Sequence, residues 1–128
     1  MTNRIPKTEW KQFFDKLSRR KSGWETTVEI LSREDGAQIL ADRLPLAGIT
    51  AEDVFGEIRI EVMIGDSPVH QTHTISQPER VYFHRQEMNS SNLIEIEDEQ
   101  GTKTLVQIIQ PFPVQVAYVD QRFDLRTF

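Results

Sequence analysis

Residues 57–65 read EIRIEVMIG, and their alternation decides how the rest of the chain is read. Ile58, Ile60, Val62 and Ile64 fall on one side of an extended chain, with Glu57, Arg59, Glu61 and Met63 on the other. Side chains of a strand point to opposite faces with a period of two, so the segment predicts a strand with one face on a core and one in water. Half-buried strands of this kind belong to antiparallel sheets. Working outward, residues 24–31, WETTVEIL, carry the same period: Trp24, Thr26, Val28 and Ile30 alternate with Glu25, Thr27 and Glu29. REDG (33–36) turns the chain into AQILADRL (37–44), and GDSP (65–68) makes the next turn. Between them, in LPLAGITAEDVFGE, Thr50 and Asp53 are placed to open a single helical turn.

The clearest hairpin is NLIEIEDEQGTKTLVQII, residues 92–109. A turn at Asp98–Gly101 is expected to set Ile94 and Ile96 on the face of Leu105, with Glu95 and Glu97 opposite, beside Thr102 and Thr104. The carboxylates Glu95, Glu97, Asp98 and Glu99 lack the alternating ligands and central glycine of a calcium loop, and read as a solvated edge.

The front of the chain follows a different period. Trp10, Phe13, Phe14 and Leu17 recur at the spacings of one helical face, which predicts a helix over residues 7–21. Pro6 precedes it, Thr8 is a candidate cap and Gly23 a stop. The stripe either packs on the sheet or is displayed to a partner groove, and the first is expected. Residues 1–22 hold seven basic and two acidic side chains, against eight basic and eighteen acidic in the remainder. A basic element on an acidic body docks on that body or meets an anionic partner.

A chain of 128 residues fits one domain, 1–128, with a β body over 24–109 and a further strand and tail over 110–128. It contains no cysteine, which removes disulfides and thiolate zinc sites and fits a reducing compartment. No apolar run spans a bilayer and no signal-like apolar stretch stands near the front, so a cytoplasmic protein without a membrane partner is expected.

All three histidines, His70, His73 and His84, lie in SPVHQTHTISQPERVYFHR, residues 67–85. On a strand His70 and His73 point to opposite sides and form no chelate. Read as a hairpin, the segment groups Val69, His73 and Ile75 with Val81 and Phe83, leaving His70, Tyr82 and His84 together outside. That polar cluster supports the alternative of a small hydrolase or metal-dependent enzyme, but Arg80 and Arg85 oppose a cation there. No nucleophile elbow, phosphate loop or dinucleotide fingerprint occurs, and no cofactor is expected. An aromatic-plus-basic strand without a basic groove does not make a nucleic-acid binder.

The fragments IPKTEWKQFFD, GW, VEIL, GAQ, LPLAGI and HTISQPERV, in that order over residues 5–81, resemble a family of short bacterial proteins classed as a domain of unknown function. The hairpin IEIEDEQGTKTLV extends the likeness, which stops at Gln110. It implies a bacterial, intracellular protein and supplies no activity or site residue. The expected fold is therefore mainly β (α+β): an N-terminal helix on a bent antiparallel sheet or small partly open barrel of six or seven strands. The expected function is a non-enzymatic interaction module that binds a protein or a second copy of itself through a sheet edge, the helix or the tail. In the tail Tyr118, Phe123, Leu125 and Phe128 are the candidate contacts, and Val114–Val119 a candidate strand.

Overall fold

A computed structural model describes residues 2–20, 23–66, 69–85 and 91–109. Its strands are β1 (Thr2–Ile5), β2 (Glu25–Ser32), β3 (Gly36–Val54), β4 (Glu57–Asp66), β5 (Val69–Ser76), β6 (Pro78–Arg85), β7 (Ser91–Asp98) and β8 (Lys103–Ile109). One α-helix, α1 (Trp10–Arg19), follows a 3-10 turn at Lys7–Glu9. The strands form one sheet in the order β1-β6-β7-β8-β2-β3-β4-β5, and every pairing is antiparallel. Eight strands replace the expected six or seven. The added one is β1, whose TNRI carries too few residues to show a period, and which pairs Thr2 with His84 and Ile5 with Val81.

Topology dictates the curl of this sheet. β5 is the outermost strand at one end and β6 the second at the other, yet Gln77 alone joins them. A single residue spans less than 4 Å or so of chain, so the two ends must approach each other. Gln77 makes the corner with a left-handed φ of 54°, and its carbonyl accepts the Glu99 N–H at 3.1 Å. The 19-residue β3 makes the second crossing: Gly36–Pro45 pairs with β2, and Leu46–Val54 pairs with β4. The result is a strongly bent sheet that does not close by hydrogen bonds. Residues 69–85 are therefore no hairpin. β5 pairs with β4, and β6 with β1 and β7. The expected helical turn at Thr50–Asp53 is likewise replaced by the continuation of β3, with Thr50 opposite Glu61.

Inside the curl lies one core. Val28, Val81, Phe83, Ile94, Ile96, Val106 and Ile108 face Ile49, Ile60, Val62, Ile64 and Ile75 across it. Trp10, Phe13, Phe14 and Leu17 are all buried against them, as the helical spacing predicts. Phe13 meets Phe83 of β6 edge-on, with ring centroids 5.6 Å apart. The second half of β3 has a strand on one side only, and α1 covers the other. There the Ser18 hydroxyl donates to the Ile49 carbonyl at 2.9 Å and accepts its N–H at 3.0 Å. A helix thus masks a sheet edge that would otherwise expose bare peptide groups. At the other end of α1, the Trp10 indole N–H donates to the Ile5 carbonyl at 2.9 Å, tying β1 to the helix.

The β7–β8 hairpin forms, but with the opposite faces for β8. Glu95 sits across from Leu105, and Ile96 across from Thr104, so Leu105 faces outward and Thr104 is buried. Gly101, at φ 85°, adds one residue on the β8 side of the turn, which moves every later side chain to the other face. The β3–β4 turn is tighter: Phe55 and Gly56 both have positive φ, 54° and 88°, between the paired Val54 and Glu57.

Candidate functional site

A cleft of about 230 Å³ opens where β5 passes the β7–β8 turn. His73, Ser76, Gln77, Asp98, Thr102 and Ile30 are among its walls. The Asp98 carboxylate is tied into the turn. Its Oδ1 accepts the N–H groups of Gln100 and Thr102 at 2.9 and 3.0 Å and so holds the turn. His73 stands opposite Val62 on the inward side of β5, half-buried. Burial holds its imidazole below the ordinary pKa of 6.5, because the charged ring loses water there. The cleft therefore offers a neutral imidazole among hydroxyls and amides, a setting for weak polar contacts.

That depressed pKa has a signed consequence. As pH falls through 6.5 the unfolded chain takes up a proton at His73 before the folded one does. Stability contributed by this site is complete above 6.5 and is lost below it, towards the lower folded pKa. His73→Gln is expected to flatten the fall in thermal midpoint between pH 6.5 and 5. An unchanged acid slope in the variant counts against a desolvated His73.

The histidines expected to meet outside do not. His70 lies exposed on β5 opposite Gly65, while Tyr82 and His84 lie on the outward face of β6, in a different part of the sheet. The physical reason is the Gln77 corner, which sends β6 to β7 instead of back along β5. Val81 and Phe83 do face the core, with Tyr82 and His84 turned away. Both His84 nitrogens are engaged: Nδ1 with the Thr2 hydroxyl at 2.8 Å, and Nε2 with Glu95 at 3.1 Å. Lys103 approaches the other Glu95 oxygen at 3.6 Å, and Arg80 pairs with Glu97 at 3.0 Å. Glu95 and Glu97, read as part of a solvated edge, are thus half-buried partners of cations on β6 and β8, while Glu99 is exposed as read. Only the strand order makes Glu95 a neighbour of His84, so the sequence carried no local sign of it. Among the described residues no three histidine, aspartate or glutamate side chains converge as a metal ion requires. None of the described helices is long and apolar enough to cross a membrane. Val114–Val119, Tyr118, Phe123, Leu125 and Phe128 lie outside the described residues.

Among the described residues the sheet has unpaired edges at β1, at β5 and along Gly36–Pro45 of β3, which pairs with β2 alone. β1 is four residues long and carries Arg4. β5 is eight residues long, VHQTHTIS, with no register shift, no proline and no Asp, Glu, Lys or Arg. His70, Gln71, Thr72, Thr74 and Ser76 on it are exposed.

Among the described residues a helix-masked, strongly curled antiparallel sheet, with β5 at an uncovered edge, defines the class: a small, mostly β protein. The chain belongs to a family of unknown function, DUF5335, whose model matches residues 1–116. The match runs past Gln110, where the sequence likeness was expected to stop. An uncharacterized protein of Aquifex aeolicus (strain VF5) is 28% identical over 116 residues, covering 88% of this chain and 96% of the relative. No solved structure matches.

Proposed function

We propose that this protein is a non-enzymatic interaction module of the bacterial cytoplasm that pairs an extended segment of a protein partner with the free edge of β5. One observation carries the reading: β5 is a long, regular, uncharged edge. Sheet edges offer unpaired N–H and C=O groups, and proteins ordinarily guard them with lysine, proline, bulges or short length. β1 is guarded by its length and Arg4, the second half of β3 by α1, and the first half of β3 by an irregular register and by Asp42, Arg43 and Pro45. Among the described residues β5 has none of these devices, which is the arrangement used for strand addition. The apolar face of α1 is spent on the core, so a helix-in-groove contact through it has no surface to use. The lack of cysteine fits a reducing compartment. Tyr118, Phe123, Leu125 and Phe128 would add apolar contacts to the same module.

The Thr72→Lys/Thr74→Lys double variant guards the edge without touching the core, since both side chains face water. The wild-type protein is expected to co-purify with a partner, or to show a doubled mass by light scattering, and the variant to lose it. Equal association by the two proteins removes β5 from the interface.

A further inference from the structure

The tip of the β3–β4 hairpin carries a residue that its own fold does not need. Phe55 is 101% exposed and, among the described residues, the largest of the exposed apolar side chains. Its backbone has the left-handed φ of 54°, a strained conformation for a bulky residue. A two-residue turn with both φ values positive favours asparagine before glycine, not phenylalanine. The turn is already fixed without the ring, because the Asp53 carboxylate accepts the Gly56 N–H at 2.8 Å. Strain and exposed aromatic surface coincide at one position, and neither is offset by contacts within the chain.

We propose that Phe55 is the apolar anchor of a second docking surface, and that its partner is a protein with an apolar socket rimmed by lysine or arginine. Exposed aromatic rings dominate binding once a pocket desolvates them. The rim follows from charge. Glu52, Asp53 and Glu57, all exposed, flank Phe55 along the two arms of the hairpin, and Arg59 opposite Glu52 is the basic residue nearest in the ladder. Carboxylates so placed select a cationic surround by complementarity. They also oppose insertion into an anionic lipid surface. This inference rests on the reading of the protein as a binding module but uses a different surface. Phe55→Asn leaves β5 intact, and the lysine pair on β5 leaves the tip intact, so each surface fails by itself.

The test uses the full chain with a photoreactive benzoylphenylalanine in place of Phe55, irradiated in an extract of the cells that make it. The expected result is one protein adduct, mapped to a peptide rich in apolar residues and flanked by lysine or arginine, and weakened by added salt. Excess wild-type protein should compete the adduct away, with Phe55→Asn about thirtyfold weaker as a competitor. Phe55→Asn alone should fold, with a thermal midpoint higher by about 3 °C. No adduct, an adduct only with a second copy, or equal competition by Phe55→Asn overturns the proposal. So does a lowered midpoint, which means that the ring packs on its own fold. Sedimentation with phosphatidylglycerol vesicles that disappears in Phe55→Asn assigns the ring to lipid and overturns it as well.

Discussion

Replacing Phe14 with alanine is expected to remove about 3–5 kcal/mol of folding stability, the cost usual for emptying the site of a buried aromatic ring. Phe14 has no exposed surface, and the edge of the Phe13 ring lies against it at a centroid distance of 5.2 Å. Phe13 in turn touches Phe83, so the helix and β6 share one aromatic contact chain. The protein has little room for relaxation around that void, because Trp10, Leu17 and Ile49 nearby in the core are also buried. Total stabilities of small domains are about 5–15 kcal/mol, so the loss is a large share of the whole. Urea unfolding reads it directly, with Lys11→Ala on the exposed side of α1 as the control. Equal midpoints for Phe14→Ala and wild type contradict a helix built into the core.

Ser18→Ala should come second, at about 1–3 kcal/mol, although it removes a single oxygen. That oxygen serves both peptide groups of Ile49, and Ile49 is fully buried. Without it an N–H and a C=O face the underside of α1 with no water to replace their partner, which is the costly case of hydrogen-bond loss. Ser18→Thr keeps the hydroxyl and should recover much of the stability. A change below about 0.5 kcal/mol for the alanine variant, within the range of an ordinary surface substitution, would mean that water reaches Ile49.

The parts of this fold legible in the sequence are those where one period runs unbroken. Ile58 to Ile64 and Trp10 to Leu17 each repeat long enough to assign a face, and both faces are buried as read. What escaped the sequence hangs on single residues that change direction or register. Gly101 reverses the faces of β8, and Gln77 turns what looks like a hairpin into a corner. A left-handed glutamine has no sequence signature, since any polar residue between two extended segments reads as a turn. The site followed the same rule. The pairing of His84 with Glu95 is a matter of strand order, and the bare edge of β5 becomes visible only when its neighbours are known. Phe55 did leave a trace: a bulky residue before glycine, between AEDV and EIRI, where a short turn wants asparagine.

The pairing of β1 with β6 also sets an order on the birth of the molecule. Residues 2–5 leave the ribosome before their ladder partners, residues 81–84, which follow nearly eighty residues later. Helix α1 can find the second half of β3 as soon as that segment has appeared, when β1 still has no strand to join. Contacts so distant along the chain are made only after a large closure entropy has been met. The earliest of the described strands to be synthesised is therefore among the last of them to be seated, and a chain that ends before β6 leaves it without a place.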